Sequence, residues 1–279
     1  MSNPTGTATP GEIGELFHAG RLGDAVAAAN AAVRKTPTGV PARILLAELL
    51  LFADNIERAD LVLDACSELD PASALMVAEF RQLLRGEIAR RQLFDDGRVP
   101  EFLDQPTEPQ RLALAALVAL RNGDAAAAGQ LAAQAEEARP HPSGVGTSGT
   151  FDDLRDGDDL LAPSIEVITT TGKYFWIAPE RVESLEFHAI KRPRDLFWRR
   201  ATIAVEGGPD GEVYVPILYP PIRTGAPERT DALRLGRATD WHRIGDAGPT
   251  RGMGAVTLIV GDEPMTWLDM QTLNFRPAP

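Results

Sequence analysis

From about Gly11 to Arg139 the apolar positions recur at helical spacing, dense in Ala and Leu and without strand-like alternation. Beyond residue 150 the pattern changes. Short β-branched and aromatic runs (SIEVITT, KYFWIA, ESLEFHAI, RATIAVE, EVYVPIL, AVTLIV and TWLDM) are separated by turn signals: TTG at 170–172, GGPDG at 207–211 and GDEP at 261–264. The first pattern predicts about seven helices, mostly paired antiparallel. The second predicts mainly antiparallel strands after residue 160. Between them RPHPSGVGTSGT, residues 139–150, reads as a flexible linker. The expected class is therefore α+β: a disordered tail over 1–10, a helical domain over 11–139, a linker over 140–150 and a β-rich domain over 151–279.

The helical half repeats itself. AGRLGDA at 19–25 aligns with ADNIERA at 53–59, an offset of 34 that also separates Pro37 from Pro71 and Ala25 from Ala59. Ala32 matches Cys66, both small. This is the period of tetratricopeptide repeats, in which two antiparallel helices pack through small residues and a proline ends the second. A weaker copy ends at Pro140, with Ala128 and Ala135 in the small positions. The copy expected between is replaced by a longer helical stretch, roughly Ala72–Phe94. The resemblance holds over 16–71 and degenerates beyond, where a generic Ala-rich hairpin array is the alternative. Either array is a scaffold that presents a surface. Cys66 then reads as a buried structural thiol. Ile44, Leu51 and Phe52 fall near the groove-facing spacing of one helix, with Glu48 between them and Phe17 on the neighbouring helix. They either receive a partner's apolar stripe or fill the core.

Composition narrows the chemistry. The 279 residues suggest about two domains on a prior of roughly 150 each, and 44% apolar with 24% charged is ordinary for a globular protein. The formal charge of −12 disfavours nucleic acid as a partner of the whole molecule, and neither half is basic. A single cysteine excludes an internal disulfide and a cysteine-based zinc cluster. The N-terminus has no apolar signal core, and the longest apolar run, Leu112–Leu120, is far short of the roughly 20 residues of a spanning helix. A cytoplasmic protein is expected.

No motif for catalysis survives its context. Gly144–Gly149 spells GxGxxG, but prolines precede it and Phe151-Asp152-Asp153 follows, so carboxylates stand where a phosphate would sit. DDLRDGDD at 152–159 fails as a calcium loop, because Leu154 and Pro163 fall on ligand positions, and reads as a solvated acidic segment. The four histidines lack metal spacing, and no nucleophile elbow occurs. No cofactor is implied. The densest feature is Lys191, Arg192, Arg194, Arg199 and Arg200 interleaved with Phe197 and Trp198. It reads as a partner contact, as arginines paired with the abundant carboxylates, or as a nucleic-acid patch.

The text KYFWIAPERVESLEFHAIKRPRDLFWRRATIAVEGGPDGEVYVPILYP, residues 173–220, resembles the ImpE family, accessory proteins of bacterial type VI secretion systems. LRDGDDLLAPSIEV, LRLGRATDW, RGMGAVTLIVGDE and the closing LDMQTLNF resemble it too. The resemblance implies a non-enzymatic cytoplasmic adaptor without cofactor. Its implied partner is the small subunit of the contractile sheath, bound through a helix of that subunit, with a link to sheath assembly or to the recycling ATPase. A nucleic-acid-associated regulator using residues 191–200 and an enzyme housed in the β-rich half are the competing readings.

Overall fold

The computed structural model describes residues 9–208, 210–223 and 225–276. The tail expected over 1–10 lies outside them except for Thr9 and Pro10, which begin the first helix. Seven helices fill the first half: α1 Pro10–His18, α2 Leu22–Lys35, α3 Val40–Phe52, α4 Ile56–Leu69, α5 Ala74–Asp95, α6 Glu108–Arg121 and α7 Ala125–Ala138. Their starts are written locally. Thr9 with Glu12 and Thr107 with Gln110 form capping boxes that satisfy otherwise orphaned amides, each followed by a proline inside the first turn. The repeat register appears in the packing: Ala25, Ala59 and Cys66 are fully buried where paired helices touch, and burial pushes the Cys66 thiol pKa up.

The turns of the two repeats differ in one instructive way. Gly20 ends the first helix in the left-handed region at φ 79°, and the residue 34 positions on, Asp54, takes the same conformation at φ 59°. Glycine does this without strain, whereas aspartate is among the few side chains that tolerate it. Asp54 is held by Arg91 at 3.1 Å and by Arg229.

The second half is built on an antiparallel sheet of eight strands in the order β2-β1-β13-β6-β7-β8-β4-β5. The strands are β1 Gly144–Gly146, β2 Gly149–Phe151, β4 Ile165–Thr169, β5 Tyr174–Ile177, β6 Val182–Phe187, β7 Trp198–Val205, β8 Gly211–Pro216 and β13 Thr272–Phe275. A smaller sheet joins β3 Leu154–Asp156, β11 Thr257–Val260 and β12 Glu263–Thr266, and β9 Thr239–Arg243 pairs only with β10 Thr250–Gly254. The α+β class is the one the periodicities predict.

Three expectations are corrected. The stretch read as a linker pairs instead: Gly144, Val145 and Gly146 face Phe275, Asn274 and Leu273 on one side and β2 on the other. Its glycines are there for close approach, since a Cβ on Gly144 would lie 2.3 Å from the Asn274 carbonyl oxygen. TWLDM is no strand of its own: Thr266 ends β12 and the rest turns away, pinned by Asp269, whose carboxylate accepts from the Thr266 amide at 2.8 Å. The acidic segment is not solvated: Asp156 and Asp158 are buried, and Arg251, almost a hundred positions away, donates to Asp158 at 2.7 Å.

The halves share one continuous apolar core. Helix α5 lies on β4 and β5. Gly86 permits this, because a Cβ there would meet the Ile168 side chain at 2.4 Å. Gly86→Ala should therefore cost about 1–3 kcal/mol by overpacking, although alanine is the better helix former. A chemical denaturation midpoint unchanged by that substitution would contradict the packing. Residues 221–223 and 225–237, which include the short helix α8 Asp231–Arg234, tie down the ends of several helices. Arg223 pairs with Asp95, Arg229 with Asp54, the Asp231 carboxylate caps the Leu22 amide at 3.1 Å, and Arg237 donates to the Phe17 carbonyl at 2.6 Å.

Candidate functional site at the junction of helices and sheet

The predicted helix groove is filled by the chain itself. Phe17 stacks edge-on against Phe52 at 5.2 Å, Phe52 against Phe197 at 5.4 Å, and Phe197 against Trp198 at 4.9 Å, linking α1, α3 and the head of β7. Leu51 and Phe52 are buried and Ile44 half-buried. The spacing correctly placed these residues on one inward face. The occupant is the turn 193–197 from the same chain, which sequence periodicity cannot announce, and the placement of the partner's helix between α1 and α3 is corrected accordingly.

Beneath that turn lies Glu48, 4% exposed, with one carboxylate oxygen that has no hydrogen-bond partner. Burial pushes its pKa up to about 7, only partly opposed by the Arg194 and Arg192 charges. Arg194 is buried as well, its guanidinium stacked over Phe80 at 4.8 Å and 3.8 Å from Glu79.

A second buried network joins α5 to the sheet. Arg90 is 1% exposed and donates two hydrogen bonds to Glu166 of β4, at 2.8 and 2.6 Å. Glu166 also accepts from the Tyr174 hydroxyl, which in turn accepts from the Trp176 indole at 2.6 Å. Glu87, one turn before Arg90, accepts from the Trp198 indole at 3.2 Å and from Arg91 at 3.0 Å. Burial opposes the Arg90 charge, yet Glu166 and Glu87 hold its pKa above the ordinary value. Burial and the Glu166 charge push the Tyr174 phenol well up. Each charge meets an opposite one, which fits a structural clamp. The cleft above it, lined by Asp54, Arg91, Tyr219, Arg229 and Arg234, has room for little more than a water molecule.

A third cluster closes the far side. The Asp156 carboxylate accepts from the Tyr219 hydroxyl at 2.6 Å, and Asp158 accepts from Arg251 and from the Gly252 amide at 3.0 Å. Burial, reinforced by Asp158, raises the Asp156 pKa well above the usual carboxylate range. Among the described residues no group of three or more His, Cys, Asp or Glu side chains is arranged to hold a metal ion.

The basic segment does not form one cationic face. Arg194, Trp198 and Arg199 are buried, Arg199 stacking over Phe187 at 4.6 Å and donating to the Trp267 carbonyl. Arg200 is exposed but paired with Glu212. Lys191 and Arg192 alone of the five are left toward solvent without a carboxylate held in an ion pair, and Arg192 lies 3.2 Å from the Met76 sulfur. A nucleic-acid grip spread over 191–200 is thereby corrected, because its middle is consumed inside the fold. The Arg192–Met76 contact joins the start of α5 to this segment, and each side carries an exposed apolar side chain that sequence reasoning missed: Leu75, 84% exposed, next to Met76, and Ile190, 44% exposed, next to Lys191. Leu75 lies at the start of α5 and Ile190 in the loop after β6, so no periodicity marks either as a surface feature.

The fold is a short array of helical hairpins joined through a common core to an antiparallel sheet, with several of its buried ionisable groups paired internally. The family model described as "ImpE protein" matches residues 148–274. The chain is 32% identical over 264 residues to the type VI secretion system accessory component TagJ of Pseudomonas aeruginosa, covering 95% of this chain and 91% of that protein. It is also similar to the crystal structure of protein VPA1032 from Vibrio parahaemolyticus, with TM-score 0.86 and 26% identity over 95% of this chain and 97% of the other. The chain belongs to the ImpE family.

Proposed function

We propose that this protein is a non-enzymatic accessory component of a type VI secretion system, acting in the cytoplasm as an adaptor that binds a helix of the small contractile-sheath subunit. The similarity to TagJ over nearly the whole length of both chains supports the system. The observation that carries a docking role is the contact of Arg192 with Met76, which joins two segments that each expose an apolar side chain, Leu75 next to Met76 and Ile190 next to Lys191. An amphipathic helix with an apolar stripe and an acidic flank suits that chemistry, its stripe on the two apolar side chains and its carboxylates on the two cations. Through such a contact the protein would bear on sheath assembly or on the recycling ATPase.

A synthetic helix from the cognate small sheath subunit, titrated by calorimetry, is expected to bind the wild type. It should bind a Leu75→Glu, Lys191→Glu variant at least about tenfold more weakly, a loss of roughly 1.4 kcal/mol, with the thermal melt unchanged. Equal affinity for both proteins would remove the site from this patch. No binding to the wild type would overturn the adaptor reading.

A further inference from the structure

Strand β9 is an open sheet edge, and its sequence is complementary to itself. The other edges are blunted. The eight-stranded sheet ends on β2, three residues long, and on β5, whose outer side is taken by Glu101; the Glu101 amide donates to Tyr174 at 2.9 Å and its carbonyl accepts from Trp176 at 3.1 Å. The three-stranded sheet ends on β12, which contains Pro264 with no N–H, and on β3, three residues long. The outer side of β10 is occupied by Asp158 and Asp159, which bond Gly252 and Thr250. β9 spans five residues and, among the described residues, has only β10 beside it.

The phase of the ladder says which groups are free. Hydrogen bonds from Ile244 to Pro249 and from Ala255 to Ala238 flank the pair, so Asp240 and His242 spend their amides and carbonyls on β10. Thr239, Trp241 and Arg243 aim theirs outward. The Trp241 amide is met by the side chain of its own neighbour, Asp240, at 2.8 Å, a local bond that strand pairing would exchange for a backbone carbonyl and so free the carboxylate. The edge has no proline and, among the described residues, no cover; its charges, Asp240 and Arg243, are the kind that native proteins use to turn away the wrong strand.

We propose that β9 is a self-association edge whose occupant is β9 of a second copy of this chain, paired antiparallel about a two-fold axis at Trp241. In that register Trp241, 40% exposed and leaning on Tyr219 at 5.9 Å, faces its own copy as a cross-strand aromatic pair. Asp240 of each chain then stands opposite His242 of the other, and Thr239 opposite Arg243. An imidazole N–H can donate to the facing carboxylate on both sides of the axis, so the strand's own side chains choose this partner. About six backbone hydrogen bonds form, and the two hairpins become one four-stranded sheet. Five residues a side bury less than the roughly 1,200 Å² of a standard interface, so the dimer is weak, with Kd on the order of 10 μM.

Sedimentation velocity on the full chain from about 1 to 200 μM tests this, spanning the expected Kd on both sides. The wild type should shift from monomer to dimer across that range. Asp240→Lys sets an ammonium opposite His242 and should weaken the dimer at least tenfold, while Asp240→Lys with His242→Asp restores the complementarity and should recover it. Thermal melts of all three proteins check that the hairpin stays folded. A wild type monomeric throughout would overturn the proposal and leave the edge to a foreign strand. A dimer indifferent to Asp240→Lys, or one that the double substitution does not recover, would overturn it equally.

Discussion

Arg90→Met should destabilise the protein by about 3–5 kcal/mol, lowering Tm on the order of 10 °C. The substituted side chain has nearly the same length and fills most of the same space, so the loss is electrostatic. Glu166 would keep its buried carboxylate with only the Tyr174 hydroxyl to answer it, and Glu87 would lose one of its cations. Removing one partner from a buried pair costs far more than the pair contributes, because the survivor remains desolvated. The same reasoning gives a sharper outcome. Arg90→Met with Glu166→Leu should be less destabilised than Arg90→Met alone, since an apolar pair needs no counter-charge. Recovery is incomplete, because the Tyr174 hydroxyl loses its acceptor. Urea denaturation of both variants checks the order, and a single variant within about 1 kcal/mol of wild type would contradict the clamp.

Glu48 should make stability fall as pH rises from about 4.5 to about 7. In the unfolded chain its carboxyl has the ordinary value of 4.5, and burial raises it to about 7 in the fold. The folded state therefore binds the proton more tightly than the unfolded one. That preference stabilises the fold fully below 4.5 and is lost as pH climbs through 7, a change of roughly 3 kcal/mol at 1.36 kcal/mol per pH unit. Arg194, Arg192 and Asp195, all on the turn packed against α3, already enter that balance. Glu48→Gln removes the titration. Relative to wild type it should gain that same amount of stability between pH 4.5 and pH 8, read as a Tm difference of several degrees that appears only at the higher pH. Parallel pH profiles for the two proteins would show that the carboxyl is not buried as described.

What the sequence showed and what it hid separate along one physical line. Helix period and the 34-residue offset are local, and they predicted a helical first half and the burial of Ala25, Ala59 and Cys66. The strands with β-branched cores, β4 to β8, were legible for the same reason. Local pattern says nothing about a distant counter-charge. Asp158 looked solvated because Arg251 lies far along the chain, and Gly144–Gly146 looked like a linker because its pairing partner is the last strand. Of the candidate site, the inward face of Phe17, Leu51 and Phe52 was readable, while the turn that covers it was not. The basic segment was visible as text. Its division into buried Arg194 and Arg199, paired Arg200 and outward Lys191 and Arg192 depends on which sheet face each meets.

The segment 225–237 also sets a schedule for the ribosome. The amide that opens α2 is capped by Asp231, 209 residues further on, and the carbonyl that closes α1 is bound by Arg237, 220 residues further on. At about 5–20 residues per second, the first two helices wait on the order of 10–40 s after synthesis before the groups that tie down their ends exist. Phe17 and Phe52 spend the same interval without Phe197 and the sheet above them. The nascent chain is therefore expected to engage general chaperones through its N-terminal helices, and to release them only when the last quarter of the protein has been made.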